Sequence, residues 1–205
     1  LFMKLYYSPG ACSLAAHILL NEINVDFDLE KVDLKAHKTE KGADYYEINP
    51  KGYVPALEIT PGLVLTENVA VLPFIAQHDP AQNLIPPSGL GRAKVLEWLG
   101  YLNSELHDAY AVFFGGALDV EAKEKAYAEV DRLLTYIDKA IAESDHEYLV
   151  DDGFGPADAY LFVLTNWSNS IEHDLSPYTN IVALRNKVAE RQSVSIAMRD
   201  EGLIP

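Results

Sequence analysis

The chain begins with two short apolar runs typical of strands, and a segment with helical spacing of apolar residues lies between them. Residues 3–7 have the pattern of a strand, and Ser13–Asn21 carries its apolar side chains at helical spacing. A second strand pattern follows at Phe27–Val32. These three elements predict a β-α-β unit at the start of the chain.

Turn-forming residues divide the next forty positions. A polar stretch with a weak helical pattern, Thr39–Ile48, leads into the turn sequence Asn49–Gly52. Two strand patterns then flank Thr60-Pro61-Gly62, which is typical of a hairpin, and a helix closes the segment. The strands are expected at Val54–Ile59 and Leu63–Leu65, and the helix from Glu67 to about His78. The order βαβαββα predicts an α/β domain over residues 1–80.

The second half of the chain has a different pattern. Asp79–Gly91 contains three prolines and two glycines, which is typical of a linker, and the linker is placed at 81–91. Only helical periodicity follows over 92–205, so an all-α helical bundle is predicted there. Ala157–Trp167 is apolar on nearly all sides and is expected to be its central buried helix. The helices are expected at 92–114, 119–143, 157–171, 178–190 and near 193–200.

Composition and charge narrow the classes of partner. The 205-residue chain carries a formal net charge of −15, whereas nucleic-acid binding relies on clustered lysine and arginine. Neither nucleic acid nor a membrane is therefore expected as a partner, and no apolar run approaches the roughly 20 residues of a membrane span. The first residues lack the apolar region of a signal peptide, and a single cysteine cannot form an intrachain disulfide. A cytoplasmic location is expected.

The single cysteine lies where the first strand gives way to the first helix. The sequence there is Tyr-Tyr-Ser-Pro-Gly-Ala-Cys-Ser, with the cysteine at Cys12 and Ser13 beside it. Unpaired amides and a partial positive charge at a helix N-terminus can lower a thiol pKa from about 8.5 to between ~3.5 and ~7.5. This position is compatible with a reactive thiolate. The alternative is a small buried core residue, because free cysteine is often buried.

The start of the helix after the hairpin is a candidate binding site for a zwitterionic group. First-turn amides together with Asn68 can hold a carboxylate, and Glu67 can hold an ammonium. Thr66 is a reasonable N-cap for this helix. The alternative is that Glu67 lies in the first turn only because acidic residues there stabilise the helix dipole.

Polar and aromatic side chains share one face of the predicted helix 92–114. Asn103, His107, Tyr110 and Phe114 follow one another at i, i+4, i+7 and i+11, beside a stripe of apolar core positions. Such a face can wall a cleft between domains. The alternatives are a half-exposed helix face or a dimer surface.

Other common catalytic motifs are absent from the sequence. The remaining histidines show no metal-ligand spacing, and there is no second cysteine to complete a metal site. Neither a G-x-G-x-x-G sequence, a P-loop nor a G-x-S-x-G elbow occurs. No metal is expected, and nucleotide binding and serine hydrolase chemistry are disfavoured.

Taken together, the segments resemble the bacterial cytosolic glutathione transferases, most closely their cysteine-bearing beta class. The resemblance spans the chain and implies a thioredoxin-like N-terminal domain, a helical C-terminal domain, glutathione as co-substrate and a homodimer. It is carried by Ser8-Pro9-Gly10-Ala11-Cys12-Ser13, Asp33-Leu34, Asn49-Pro50-Lys51-Gly52, Val54-Pro55-Ala56-Leu57, Leu65-Thr66-Glu67-Asn68, Pro156-Ala157-Asp158-Ala159-Tyr160-Leu161 and Glu201-Gly202-Leu203-Ile204.

The resemblance also implies roles for residues of the first domain. Cys12 would contact the glutathione sulfur, either in a mixed disulfide or by a hydrogen bond, and Ser13 would donate a hydrogen bond. Val54, before a cis Pro55, would pair with the cysteinyl backbone. The γ-glutamyl end would contact Glu67 and Asn68, the latter in place of the serine of many relatives. The glycyl carboxylate would meet His37, where relatives carry lysine, or Lys38 by a shift of register.

In the second domain the resemblance brings Ser104-Glu105-Leu106-His107 close to the glutathione thiol. His107 is therefore a catalytic candidate, with Asn103 among the glutathione-binding candidates. Asp158 is interpreted as structural, although Gly155 stands where relatives place the Ser or Thr of a capping box.

The favoured function is conjugation of glutathione to small apolar electrophiles, as in detoxification. The enzyme would lower the glutathione thiol pKa with helix-terminal amides and with Cys12, Ser13 or His107. Tyr110, Phe114 and Trp167 would line the electrophile pocket. Two alternatives stay open: a monothiol, glutathione-dependent thiol-disulfide oxidoreductase that uses Cys12, and a non-catalytic carrier of apolar ligands.

Overall fold

The computed structural model describes residues 3–81 and 83–205; residues 1 and 2 of the predicted first domain and Gln82 of the predicted linker lie outside the described residues. The strands are β1 (Lys4–Tyr7), β2 (Asp28–Asp33), β3 (Lys38–Thr39), β4 (Ala56–Thr60) and β5 (Leu63–Thr66). The helices are α1 (Leu14–Glu22), α2 (Asn68–Ala76), α3 (Gly89–Tyr101), α4 (Asp108–Ala111), α5 (Val120–Ala142), α6 (Pro156–Ser170), α7 (Thr179–Ala189) and α8 (Gln192–Asp200). Short 3-10 turns lie at Tyr45–Glu47 and Val112–Phe114, and a π-helical segment at Leu102–His107.

Within the described residues the strands form one mixed sheet in the order β3-β2-β1-β4-β5. The central strand β1 runs parallel to β2 and antiparallel to β4, so that Leu5 faces Leu29 on one side and Leu57 on the other. Leu5 and Leu57 are fully buried, as expected for apolar strand positions. Gly62, with a φ of +82°, makes the predicted turn between β4 and β5.

One predicted element of this domain is replaced by turns. Thr39–Ile48 was expected to form a weak helix, but only Tyr45–Glu47 turns, as a 3-10 helix capped by the Asp44 carboxylate. The start of the stretch is held in the β2–β3 ladder, where Val32 pairs with Thr39. Gly42 then reverses the chain at a φ of +86°. Because the ladder and the reversal fix these residues, an α-helix has no room to form.

The helical half is confirmed, with α6 as its buried centre. Eleven of the fifteen α6 residues are buried. Its N-terminus is held by Asp158, whose carboxylate accepts hydrogen bonds of 2.8 Å from the backbone N–H groups of Leu149 and Gly155. Burial raises the pKa of Asp158 to about 7. The structural interpretation of Asp158 thus has a direct basis, even without a side chain at Gly155.

The C-terminal helix packs with the first half of the chain. The chain divides into two compact units: one runs up to Pro87 and includes Glu190–Pro205, and the other is Ser88–Ala189. Helix α8 packs on α1, and an ion pair joins Arg191 to Glu22. The sequence predicts a helical domain that runs to residue 205, whereas residues 190–205 belong to the first unit. Helical periodicity does not indicate which neighbour a helix packs against.

Candidate active site

The turn between β1 and α1 carries Cys12 and is closed by its own hydrogen bonds. The N–H of Ala11 donates to the Ser8 carbonyl at 3.0 Å. Ser13 is fully buried, and its hydroxyl accepts from the Ser8 N–H at 3.2 Å and lies 3.4 Å from the Ser8 carbonyl. The structure therefore directs the Ser13 hydroxyl into the turn, whereas the resemblance implies that it donates a hydrogen bond at the glutathione site.

The Cys12 thiol is half-buried and protonated. Its Sγ donates to the Val54 carbonyl at 3.2 Å. Burial raises the pKa of the Cys12 thiol to about 12, and the Glu67 carboxylate adds to the rise. The backbone N–H groups of Cys12 and Ser13 act in the opposite direction but are weaker. The expectation of a lowered thiol pKa is wrong, because loss of solvation outweighs the helix-terminal amides here.

The loop before β4 presents backbone groups next to this thiol. The Val54-Pro55 peptide bond is cis, as the resemblance implied. The Val54 carbonyl accepts the thiol, and its N–H donates to no described residue. The preceding Tyr53 carbonyl is held by the Tyr45 hydroxyl at 2.8 Å and the Asn49 amide at 2.7 Å. These two hydrogen bonds fix the loop at Tyr53, the residue that precedes Val54.

Glu67 and Asn68, at the start of α2, have different environments. Glu67, and not Thr66, is the N-cap; its φ is +71°, and its exposed carboxylate forms an ion pair with Lys51. Asn68 is buried, and its Nδ2 donates to the Cys12 carbonyl at 3.1 Å. The Asn68 Oδ1 is buried and has no hydrogen-bond partner among the described residues. Asn68 therefore ties α2 to the Cys12 turn.

His37 lies on the turn that leads into β3. Its φ is +50°, and its ring stacks on Tyr46 with 4.4 Å between the ring centres. The two rings close over Gly52, where an added Cβ would come within 2.8 Å of Tyr46. The buried Nδ1 of His37 has no partner in the described part of the chain, while Lys38 is exposed. The imidazole is thus held in place by Tyr46, with its Nδ1 buried and unpaired.

In the second unit, Asn103 and His107 lie on the π-helical segment and meet the phenol of Tyr160. Nδ1 of His107 is 2.6 Å from the Tyr160 hydroxyl, which donates to Oδ1 of Asn103 at 3.0 Å. Burial lowers the pKa of His107, and the carboxylate of Asp108 only partly opposes this. The ring is therefore neutral near pH 7. Such π-helical turns are rare and are frequent at functional sites.

The aromatic candidates gather around Trp167. His107, Tyr110 and Phe114 all meet its ring edge-on, with centre-to-centre distances of 4.9, 6.1 and 5.6 Å. Phe114 is 54% exposed, whereas Tyr110 is fully buried and its hydroxyl lies 2.6 Å from Ser168 Oγ. Tyr110 therefore supports Trp167 from within the core, and Phe114 presents the accessible surface.

Comparison with known proteins identifies the family. Residues 2–77 match the model for the glutathione S-transferase N-terminal domain, and residues 94–192 match the model for its C-terminal domain. The chain belongs to the glutathione S-transferase family. It is 39% identical to the glutathione S-transferase GstA of Escherichia coli O157:H7 over 98% of this chain and 100% of that protein.

Solved structures agree with this transferase assignment. A sphingomonad glutathione S-transferase complexed with glutathione is 42% identical, covering 98% of this chain and 100% of that one, with a TM-score of 0.92. The beta class enzyme of Sphingomonas chungbukensis is 40% identical over the same shares, also with a TM-score of 0.92. The chain is thus an enzyme, a glutathione transferase of beta class type with a thioredoxin-like N-terminal domain.

Tyr160 of the transferase is the functional candidate that sequence reasoning missed. It lies in the apolar run of α6, whose pattern is typical of a buried core helix. A buried tyrosine hydroxyl needs a polar partner. A tyrosine in an otherwise apolar helix therefore indicates that a polar group packs against it. The sequence does not indicate the π-helical segment, because its residues fit α-helical periodicity equally well.

Residues 3–81 and 83–205 lack two features. No group of histidine, cysteine and acidic side chains with the arrangement of a metal site occurs among them. Nor does any helix in this part of the transferase combine the length and apolar character that crossing a membrane requires.

Proposed function

We propose that this transferase conjugates glutathione to small apolar electrophiles, with His107 acting on the glutathione thiol. The observation that carries the proposal is a neutral imidazole beside Trp167 and the half-exposed ring of Phe114. A neutral imidazole can accept the thiol proton, and the thiolate is the nucleophile. Exposed aromatic surface near that base suits an apolar electrophile.

Backbone and side-chain groups of the first unit would hold glutathione. The unpaired N–H and the carbonyl of Val54 can pair with the cysteinyl backbone as a neighbouring strand would. The Glu67 carboxylate can take the γ-glutamyl ammonium in exchange for Lys51. The ring of His37 is half-buried, and its other nitrogen, Nε2, can donate to the glycyl carboxylate. The exposed ammonium of Lys38, the next residue, can add positive charge there. Lys38 and Lys51 would supply positive potential that the net charge of −15 does not.

Cys12 would act through its hydrogen rather than as a nucleophile. Its raised pKa keeps the thiol protonated, and its S–H already donates to a carbonyl at the same turn. A protonated thiol can donate to the thiolate of bound glutathione and so stabilise it. Asn68 would contribute indirectly, because its amide holds the carbonyl of Cys12.

A homodimer in the cytoplasm is proposed from the resemblance alone. Light scattering of the purified protein would give twice the mass of the 205-residue chain. A monomeric mass at micromolar concentration would contradict the dimer.

The function is tested by assaying an aryl halide with glutathione for the wild type, His107→Gln and Cys12→Ala. Loss of a general base costs about 10²-fold or more, so kcat/KM should fall by about 10²-fold in His107→Gln. It should fall by less than tenfold in Cys12→Ala, which loses one hydrogen-bond donor.

The same variants separate the alternatives. Reduction of a glutathione mixed disulfide that is lost in Cys12→Ala, with little conjugation in the wild type, would support the oxidoreductase. Tight binding of an apolar dye with no turnover in either assay would support the carrier. Unchanged conjugation in His107→Gln would remove His107 from the reaction.

A further inference from the structure

We propose that Tyr160 is a positioning residue that, with Asn103, fixes the tautomer of His107 so that Nδ1 carries the hydrogen and Nε2 offers its lone pair to the glutathione thiol. The inference rests on the function proposed for His107. It adds the group that decides which imidazole nitrogen can react.

The geometry places the phenol oxygen between two partners on the same segment. Tyr160 is fully buried on α6. Its oxygen is 2.6 Å from Nδ1 of His107 and 3.0 Å from Oδ1 of Asn103, four residues earlier on the π-helical segment. Both distances are short enough for hydrogen bonds. The phenol therefore has to serve both neighbours at once.

The number of hydrogens decides the direction of these bonds. A phenol has a single hydrogen, and the amide oxygen of Asn103 can only accept. The Tyr160 hydrogen therefore goes to Asn103, and the phenol oxygen accepts at its other contact. The donor of that contact is Nδ1–H of His107. In the neutral ring, Nε2 is then left as an acceptor.

The Trp167 ring restrains the orientation of the imidazole. It meets His107 at 4.9 Å between ring centres with an angle of 79° between the planes. The edge-on contact and the bond at Nδ1 together hold two sides of the imidazole. A 180° turn of the ring about Cβ–Cγ would put Cδ2 in place of Nδ1 beside the Tyr160 hydroxyl and so break that hydrogen bond.

The fixed tautomer lets His107 act as a base at Nε2. The S–H bond of glutathione breaks, an Nε2–H bond forms and the electron pair stays on sulfur as the thiolate. The imidazolium keeps Nδ1–H on Tyr160 throughout, so no second proton moves. With an aryl halide, sulfur then forms the new carbon–sulfur bond, halide leaves with the carbon–halogen electron pair, and the Nε2 proton goes to water.

Nitrogen-15 NMR of the histidine rings tests the tautomer directly, because the shifts of the two ring nitrogens show which one is protonated. The chain has six histidines, and loss of one signal set in His107→Gln assigns His107. Above pH 7.5 the wild type should show a protonated Nδ1 and an unprotonated Nε2. In Tyr160→Phe both tautomers should be populated.

Two variants at Asn103 sharpen the test because they have nearly the same size. Asn103→Leu removes the acceptor, so the Tyr160 hydrogen turns to Nδ1 and the hydrogen of His107 should move to Nε2. Asn103→Asp keeps an acceptor and should keep the wild-type tautomer. The kcat/KM for conjugation should fall about tenfold in Tyr160→Phe and Asn103→Leu, and less in Asn103→Asp.

Tyr110→Phe is the matched control. It removes an equally buried hydroxyl, also 2.6 Å from its partner, that bonds to Ser168 instead of His107. Its effect on stability should resemble that of Tyr160→Phe, while the tautomer of His107 should not change. Wild-type His107 with its hydrogen on Nε2, or a tautomer unmoved in both Tyr160→Phe and Asn103→Leu, would overturn the proposal. If the tautomers behave as expected but His107→Gln conjugates normally, the proposed role of His107 in the reaction fails, while its positioning by Tyr160 stands.

Discussion

The Cys12 turn and the His107 segment are both half-buried, and burial shifts their pKa values in opposite directions. It raises the pKa of the thiol and lowers that of the imidazole. In both cases the neutral form is favoured, since removal from water disfavours charge of either sign. The resting transferase thus contains a neutral acid in one unit and a neutral base in the other. Neither is a pre-formed ion, and in the proposed reaction the charge forms on glutathione itself.

The two regions also differ in what holds them. The Cys12 turn is fixed mainly through its backbone, by bonds between Ser8 and Ser13 and by the Asn68 amide on the Cys12 carbonyl. The His107 ring is fixed through its own side chain, by Tyr160 and Trp167. A substitution near Cys12 should therefore alter stability before chemistry, and one near His107 should do the reverse.

The largest expected effect concerns the reactivity of Cys12 without glutathione. With a pKa of about 12, the thiolate fraction at pH 8 is about 10³-fold below that of a thiol with a pKa of about 8.5, and the greater nucleophilicity of a more basic thiolate recovers part of this. Alkylation should be about 10²-fold slower than that of a free thiol. Its rate should rise about tenfold per pH unit from 8 to 10.

Intact mass after timed exposure to iodoacetamide or oxidised glutathione measures this rate, with Cys12→Ala as the control that gains no adduct. A rate that levels off below pH 8 would mean that the thiol is activated. The contrast between a neutral acid and a neutral base would then be lost.

The second prediction concerns the backbone ties of the Cys12 turn. Asn68→Ala leaves the Cys12 carbonyl without its side-chain donor and should lower the free energy of unfolding by about 2 kcal/mol. Ser13→Ala removes the two contacts of the Ser13 hydroxyl with the Ser8 backbone, both longer than the Asn68 bond, and should lower the free energy of unfolding by about 1 kcal/mol. Urea unfolding measures both. In Ser13→Ala the KM for glutathione should stay the same; a rise of tenfold would restore Ser13 as a ligand donor.

The smallest expected effect is on the pH dependence of stability. The lowered pKa of His107 stabilises the fold above about pH 6.5, and this contribution is lost as pH falls through the folded-state pKa. The raised pKa of Cys12 stabilises the fold below about pH 8.5, and this contribution is lost as pH rises toward 12. His107→Gln should flatten the acid limb, and Cys12→Ala the alkaline limb. The urea midpoints of the wild type and both variants between pH 5 and 10 measure these changes. Identical pH profiles for the two variants would contradict the opposite pKa shifts of His107 and Cys12.

Much of the fold was predictable because it depends on neighbours in sequence. Helix α6 begins at Pro156 and is buried nearly all round, as its composition indicates. The hairpin turns at Gly62, where a left-handed residue is needed. Thr39–Ile48 was predicted wrongly because Thr39 pairs with Val32 on another strand, a contact that outweighs a weak local preference.

By itself the sequence determined most of the elements, the two kinds of architecture and the candidate site residues, since periodicity, turn residues and motifs are local. The tertiary structure decided their state. The thiol of Cys12 meets a carbonyl 42 positions away, and His107 meets a phenol 53 positions away. Burial and hydrogen bonding across such separations set a pKa and a tautomer, and both depend on which distant groups exclude water and supply partners.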